Sequence, residues 1–267
     1  MGANATYNFQ GKTILITGGA GEIGKATAHR FAKNGAGIVL LDINEVKLEE
    51  AAQELKDYGS SVHALCCDVT SPDAVAQAFS WAVRATGQIH YVFNNAGYQG
   101  AFAKTDDYPE ADFQKVMDIN VVGVFHVLKA AAQKLRDGGG GAIVNMASHA
   151  GVDGPPNMLA YAASKFAVIG MTQTAAKDLA PYGIRVNALS PSLIGPGLMW
   201  TRQTELQAGV GSQYFDTDPK AVEQQMINSV PMRRLGKLEE VANGVAFLMS
   251  DEASYITGFN LDITGGQ

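Results

Sequence analysis

Residues 12–24 read KTILITGGAGEIG, a short apolar run that stops at glycines and passes directly into helical spacing. A strand running into Thr17-Gly18 and then a helix is the opening of a βαβ unit. Such a turn aims backbone N–H groups and a helix N-terminus at a bound pyrophosphate. Gly19, Gly21 and Gly24 satisfy G-x-G-x-x-G spacing, a weak signal alone because glycine-rich turns are common. Its context is more specific. Asp42 ends the second apolar run, GIVLLD (37–42), where a carboxylate can accept hydrogen bonds from adenosine ribose hydroxyls. That carboxylate would repel the extra phosphate of NADP, and no arginine follows it in the strand or the next turn, so the pattern favours NAD. The plain alternative for Asp42 is a helix cap or turn residue.

Outward from this turn, short apolar runs alternate with helical patterns. The spacing predicts strands over 12–17, 37–42, 61–69, 90–97, 141–148, 185–191 and 258–264. Helices are predicted over 22–35, 44–59, 71–87, 110–137, 159–180 and 238–250. Strands this apolar, each followed by a helix, imply a parallel sheet covered on both faces. The expected architecture is a single α/β domain over 1–267, a doubly wound Rossmann sheet of about seven strands. Only 192–236 breaks the rhythm, with GPG, GVG, Tyr214-Phe215 and prolines at 219 and 231. A segment this long is usually functional or mobile; we read it as a lid over a substrate site, the plain alternative being a surface insertion.

Bulk properties exclude several function classes. Net charge is −6, with 46% hydrophobic and 17% charged residues and no densely basic window. Nucleic acid and an anionic membrane surface are therefore poor partners. No apolar stretch approaches a membrane span and no signal-peptide core is present, so a soluble cytoplasmic protein is expected. MGANAT (1–6) formally fits an acylation pattern and Asn4-Ala5-Thr6 a glycosylation acceptor; a disordered leader is the plainer reading. Cys66 and Cys67 read as small buried hydrophobes. The five histidines (29, 63, 90, 126, 149) lack ligand spacing, which disfavours a zinc route and leaves the metal expectation at none.

A catalytic pair stands at YAASK (161–165): Tyr161 and Lys165 lie four apart, on one helix face. A phenol titrates near 10, too high for an efficient base near neutrality, and a neighbouring ammonium together with a positive nicotinamide ring would lower that value. Tyr161 could then remove an alcohol proton as hydride leaves carbon. Ser148, thirteen residues earlier at the end of the fifth strand, could hold the substrate oxygen as charge develops.

With these residues the chain resembles the short-chain dehydrogenase/reductase family over nearly its whole length. The family's shorter members carry T-G-x-x-x-G-x-G; here Glu22 takes the middle glycine's place and Gly21 gives T-G-x-x-G-x-x-G, the pattern of the longer branch. We expect the Glu22 side chain to turn outward, toward the adenosine half. The resemblance implies that Asn120, in MDINVVG, steadies a proton relay with Lys165, completing a catalytic set with Ser148 and Tyr161. It implies cofactor contacts at Gly18, Gly21, Glu22, Ile23 and Gly24, at Asp42 and Ile43, and at Asp68 and Val69. Further contacts are implied at Asn95, Ala96 and Gly97 of NNAG (94–97), at Tyr161 and Lys165, and at Pro191 and Ile194. One departure is Pro191-Ser192, where the family often has Pro-Gly.

Within the family the closer resemblance is to bacterial NAD-dependent xylitol dehydrogenases, carried by NNAGYQGAFA (94–103), GPPNMLAY (154–161), residues 195–226 and SVPMRR (229–234). It implies oxidation of a polyol, plausibly xylitol to a ketopentose. Gln99, Asn157, Arg202 and Glu205 are polar candidates near the pocket, and Ser148, Gln99, His149 and Asn157 are the substrate contacts we expect. Met158, Met199 and Trp200 are expected to pack the lid. Alternatives are a 3-oxoacyl or other carbonyl reductase and a non-catalytic dinucleotide sensor. The helix over 159–180 is apolar or small nearly all round, as for one buried on more than one side. The resemblance implies homotetramers packed through such helices, and a magnesium ion at the C-terminus in some relatives.

Overall fold

A computed structural model describes residues 6–267; the rest of the leader, with its acylation and glycosylation patterns, lies outside the described residues. Seven strands form one parallel sheet: β1 (Thr13–Thr17), β2 (Gly37–Asp42), β3 (Val62–Cys66), β4 (Tyr91–Asn94), β5 (Gly141–Met146), β6 (Ile184–Pro191) and β7 (Asn260–Ile263). Their order is β3-β2-β1-β4-β5-β6-β7. The order reverses between β1 and β4, and in sheets of this kind ligands bind at the carboxyl ends beside that reversal.

Helices cover both faces, as uninterrupted apolar strands require. One face carries α1 (Glu22–Ala32), α2 (Glu45–Glu54) and α9 (Leu238–Met249); there Ile14, Ile16, Phe31, Leu40, Phe93 and Val245 form a core. Phe31 is fully buried and stacks on Phe9 with centroids 4.5 Å apart. The other face carries α3 (Pro72–Thr86), α5 (Val124–Asp137) and α6 (Leu159–Leu179), closing over Leu15, Val39, Phe79, Val92 and Ile143. Each such side chain contributes about 1.5–3 kcal/mol on burial.

Local chemistry sets the helix ends. Ser71 accepts from the Ala74 amide with Pro72 in the first turn, as the Ser-Pro pair predicts. The helix predicted over 44–59 is shorter: α2 ends at Glu54 and a tight turn, Lys56–Tyr58, leads to Gly59. The long helix predicted over 110–137 is two helices, α4 (Glu110–Met117) and α5, joined by a π-helical turn at Asp118–Gly123. Residues 192–236 hold two further helices, α7 (Leu198–Gly209) and α8 (Pro219–Ser229). Trp200, Ala208, Val222 and Met226 give them a small core of their own. Of the pair read as buried cysteines, Cys67 is buried, but Cys66 ends an edge strand and is exposed.

Candidate active site

The glycine turn joins β1 to α1 at the sheet reversal. Gly18 has a φ of +63°, and a Cβ there would stand 2.9 Å from Asn95 Nδ2. A Cβ on Gly24 would lie 2.2 Å from the Gly18 carbonyl oxygen, so glycine is what lets α1 start this close to the strand. Helix α1 has no side-chain cap, so its first amides point into the turn's mouth. Asn95 fastens the turn from below: its Nδ2 donates to the carbonyls of Thr17 (3.0 Å) and Gly18 (3.1 Å), while the Asn95 and Ala96 amides donate to Thr17 Oγ1. Each Asp42 carboxylate oxygen accepts one backbone amide, from Ala20 at 3.0 Å and Asn44 at 2.9 Å, and keeps acceptor capacity beyond it. Ile43 is exposed beside it, and Val69 is buried with its carbonyl within 3.0 Å of His126 Nδ1. Asp68 Oδ1 accepts from the amide and hydroxyl of Thr70.

Across the reversal, the ends of β4 and β5 and the start of α6 bring the second group together. Lys165 is 3% exposed; its Nζ donates to the Met146 carbonyl at 2.7 Å and lies 5.5 Å from the Tyr161 ring centroid. Burial pulls the Lys165 ammonium down to about 8. Asn120, fully buried in the π-helical turn, accepts from the Tyr98 amide (2.7 Å) and donates to the Tyr98 carbonyl (2.8 Å) and Ser164 Oγ (3.0 Å). A Cβ placed on Gly97 would stand 3.4 Å from Asn120 Oδ1 and 3.7 Å from Lys165 Nζ, so the three residues converge. Ser148 caps the short turn His149–Gly151 through the Ala150 amide, donates to the Pro191 carbonyl at 3.5 Å, and stands near enough to the Tyr161 phenol to favour its ionised form.

Burial holds Tyr161 above its ordinary value, and the Ser148 hydroxyl opposes this in part. Two other tyrosines nearby are fixed as donors: Tyr98 and Tyr108 both donate to Asp112, and burial followed by that carboxylate pushes Tyr108 up to about 12.

Helix α7 bridges the loops after β4 and β5. Arg202 donates to Gln99 Oε1 (3.1 Å) and the Gly100 carbonyl (3.0 Å), and Gln99 Nε2 donates to Gln203 (3.0 Å). At its other end Asn157 Nδ2 donates to Gln207 (2.8 Å) and Ser212 (3.0 Å).

A family model described as enoyl-(acyl carrier protein) reductase matches residues 18–267. The chain belongs to the short-chain dehydrogenase/reductase family. A crystal structure of NAD+-bound xylitol dehydrogenase matches with a TM-score of 0.96 at 56% identity, covering 97% of this chain and 100% of that one. Levodione reductase from Leifsonia aquatica is 35% identical over 99% of this chain and 97% of its own. A 3-oxoacyl-[acyl-carrier-protein] reductase from Thermotoga maritima is 37% identical over 96% and 98%. The protein is thus a short-chain oxidoreductase using a nicotinamide dinucleotide. The uncapped α1 terminus, the glycine cradle and the free acceptor capacity of Asp42 fit that group.

Against the family pattern the two departures have local accounts. Ser192 donates its amide to the Ile263 carbonyl (3.1 Å), and its hydroxyl meets Gln267. Buried Pro191 precedes it, and Ile194 bridges to Gly236. Half-buried Ile23 packs against the α1-side core, whereas Glu22 reaches α7, accepting from the Leu198 (3.1 Å) and Met199 (3.4 Å) amides. That direction, not the adenosine half, is the outward turn it takes. Met158 and Trp200 pack inside as expected, but Met199 is 53% exposed and Glu205 is exposed. Sequence reasoning missed Gln203, Gln207 and Ser212, polar residues within 192–236 whose partners come from distant loops. Among the described residues no group of three His, Cys, Asp or Glu side chains could hold a metal ion.

Proposed function

We propose that this protein oxidises a secondary alcohol of a polyol with NAD, xylitol to a ketopentose being the leading case. The observation that carries this reading is the 56% identity to xylitol dehydrogenase over nearly the whole of both chains. Asp42 supports NAD over NADP: its oxygens stand where ribose hydroxyls can donate, and a 2′-phosphate would meet a carboxylate. With its pyrophosphate held at the glycine turn, the oxidised dinucleotide would supply the hydride acceptor and a positive charge at its nicotinamide.

Tyr161 acts as the base. With the positively charged nicotinamide close by favouring the ionised form, Tyr161 would take the alcohol proton as a phenolate, beside the Ser148 hydroxyl that also favours that form. Ser148 donates to the substrate oxygen as negative charge develops there. Lys165, held by Met146, passes the proton onward, and Asn120 holds the β4 loop against α6 so that this path keeps its shape. Residues 192–236 serve as the lid, with Gln99, Asn157 and His149 on the substrate side. Among the described residues His149 Nδ1 is buried without a hydrogen-bond partner, a group that a polyol hydroxyl would satisfy. The assembly is a cytoplasmic homotetramer: Phe166, Leu159, Phe125 and Val122 on α5, α6 and the turn before them are 50%, 41%, 49% and 41% exposed and form the apolar surface it would bury.

Product analysis tests this reading. Incubation with xylitol and NAD should yield a ketopentose in step with NADH. Reduction of a 3-oxoacyl thioester with no polyol turnover would favour the carbonyl-reductase reading, and dinucleotide binding with no turnover of either would favour a sensor.

A further inference from the structure

Glu22 stands where the shorter family pattern has glycine, in the first turn of α1, and its side chain leaves that turn to meet another helix. Both carboxylate oxygens are engaged, one with each of the first two amides of α7. Helix α7 has no capping side chain of its own, because its cap position is Gly197. A Cβ on Gly197 would stand 2.5 Å from Glu22 Oε1 and 2.8 Å from Oε2, so the approach depends on glycine there. A carboxylate at a helix N-terminus satisfies orphan N–H groups and meets the positive end of the helix dipole. Here the cap comes from 176 residues away and joins the phosphate-binding turn to the lid.

We propose that Glu22 is a positioning residue that latches the lid helix to the dinucleotide cradle, so that lid closure and dinucleotide binding strengthen each other. The proposal rests on the reading of the glycine turn as a pyrophosphate site and of 192–236 as a lid. With the lid closed, the carboxylate is compensated by the α7 amides. With the lid open, its charge stands uncompensated in the turn that receives the pyrophosphate, and like charges there weaken binding. Linkage makes the effect reciprocal: whatever the closed lid adds to dinucleotide affinity, the dinucleotide adds to lid closure. Opening then weakens the hold on the dinucleotide when product must leave.

The test uses the full chain and two variants acting from opposite sides, Glu22→Gln and Gly197→Ala. Gln keeps an acceptor and removes the charge; Ala leaves the cradle intact and pushes the carboxylate off α7. Hydrogen exchange of the peptide covering 197–209 is measured with and without NAD, alongside NAD affinity by titration. In the wild type, NAD should slow exchange at this peptide. Each variant should speed its exchange and cut the NAD-linked protection about fivefold, and the double variant should add little to either. Unchanged protection in Gly197→Ala, or additive effects in the double variant, would overturn the latch. Neither readout requires a polyol, so a failed substrate assignment leaves this test intact, and a failed latch leaves the substrate assignment intact.

Discussion

Tyr161 and Lys165 are both shifted by burial, in opposite directions, and each shift has a measurable sign. Lys165 titrates at about 8 against an ordinary 10.5, so between those values the unfolded chain binds a proton that the folded chain does not. Stability should therefore rise as pH climbs through that window, by about 3 kcal/mol if burial acts alone. Urea midpoints between about pH 7 and 10, compared with Lys165→Met, check this, the variant losing that rise. For catalysis the sign follows from the base: with Tyr161 held high, kcat/KM for alcohol oxidation should rise with pH, with unit slope on the acid side. At the adenosine end, Asp42→Ser should weaken NAD and admit NADP, narrowing the preference by at least about tenfold in kcat/KM. These residues were legible in the sequence because their spacing is local: four positions on one helix face, or one residue ending a strand. The direction of the Tyr161 shift was not legible, because it depends on how much protein closes around the phenol.

At the scale of elements, the strands and most helices followed from apolar periodicity, and the failures are instructive. The break at Asp118–Gly123 keeps the apolar spacing of its neighbours, so nothing in DINVVG announces the π-helical turn that seats Asn120. Helix α7 escaped because its buried face includes Thr204 and Gln207, polar residues whose partners lie in other loops. Asp218-Pro219 opens α8 as Ser71-Pro72 opens α3, yet in the sequence Pro219 was read only as part of the break over 192–236. Because Arg202 ties α7 to the loop after β4 by two hydrogen bonds, Arg202→Ala should raise the polyol KM several-fold while leaving Tm within about 2 °C. Steady-state kinetics beside a thermal melt checks it, and a large loss of Tm would mean that the link supports the fold rather than the lid.

For the whole molecule, alternation of strand and helix fixed the class, and the reversal of strand order placed the dinucleotide turn beside the Tyr161 cluster. The proposed assembly would cover what the single chain leaves exposed: Phe166 lies on the outer side of a helix whose other side holds Lys165 and Val168. Phe166→Asp should lower the oligomeric state seen by sedimentation, and a wild type that sediments as a monomer would remove the tetramer from the account. The central claim is a polyol oxidation driven by Tyr161 with NAD. It is tested most directly by following NADH formation from xylitol and a polyol panel, with NAD and NADP in parallel, for the wild type and Tyr161→Phe. The account predicts turnover of xylitol with NAD, little with NADP, and a loss of about 100-fold or more in the variant. Equal rates in the variant, or no polyol turned over by the wild type, would contradict it.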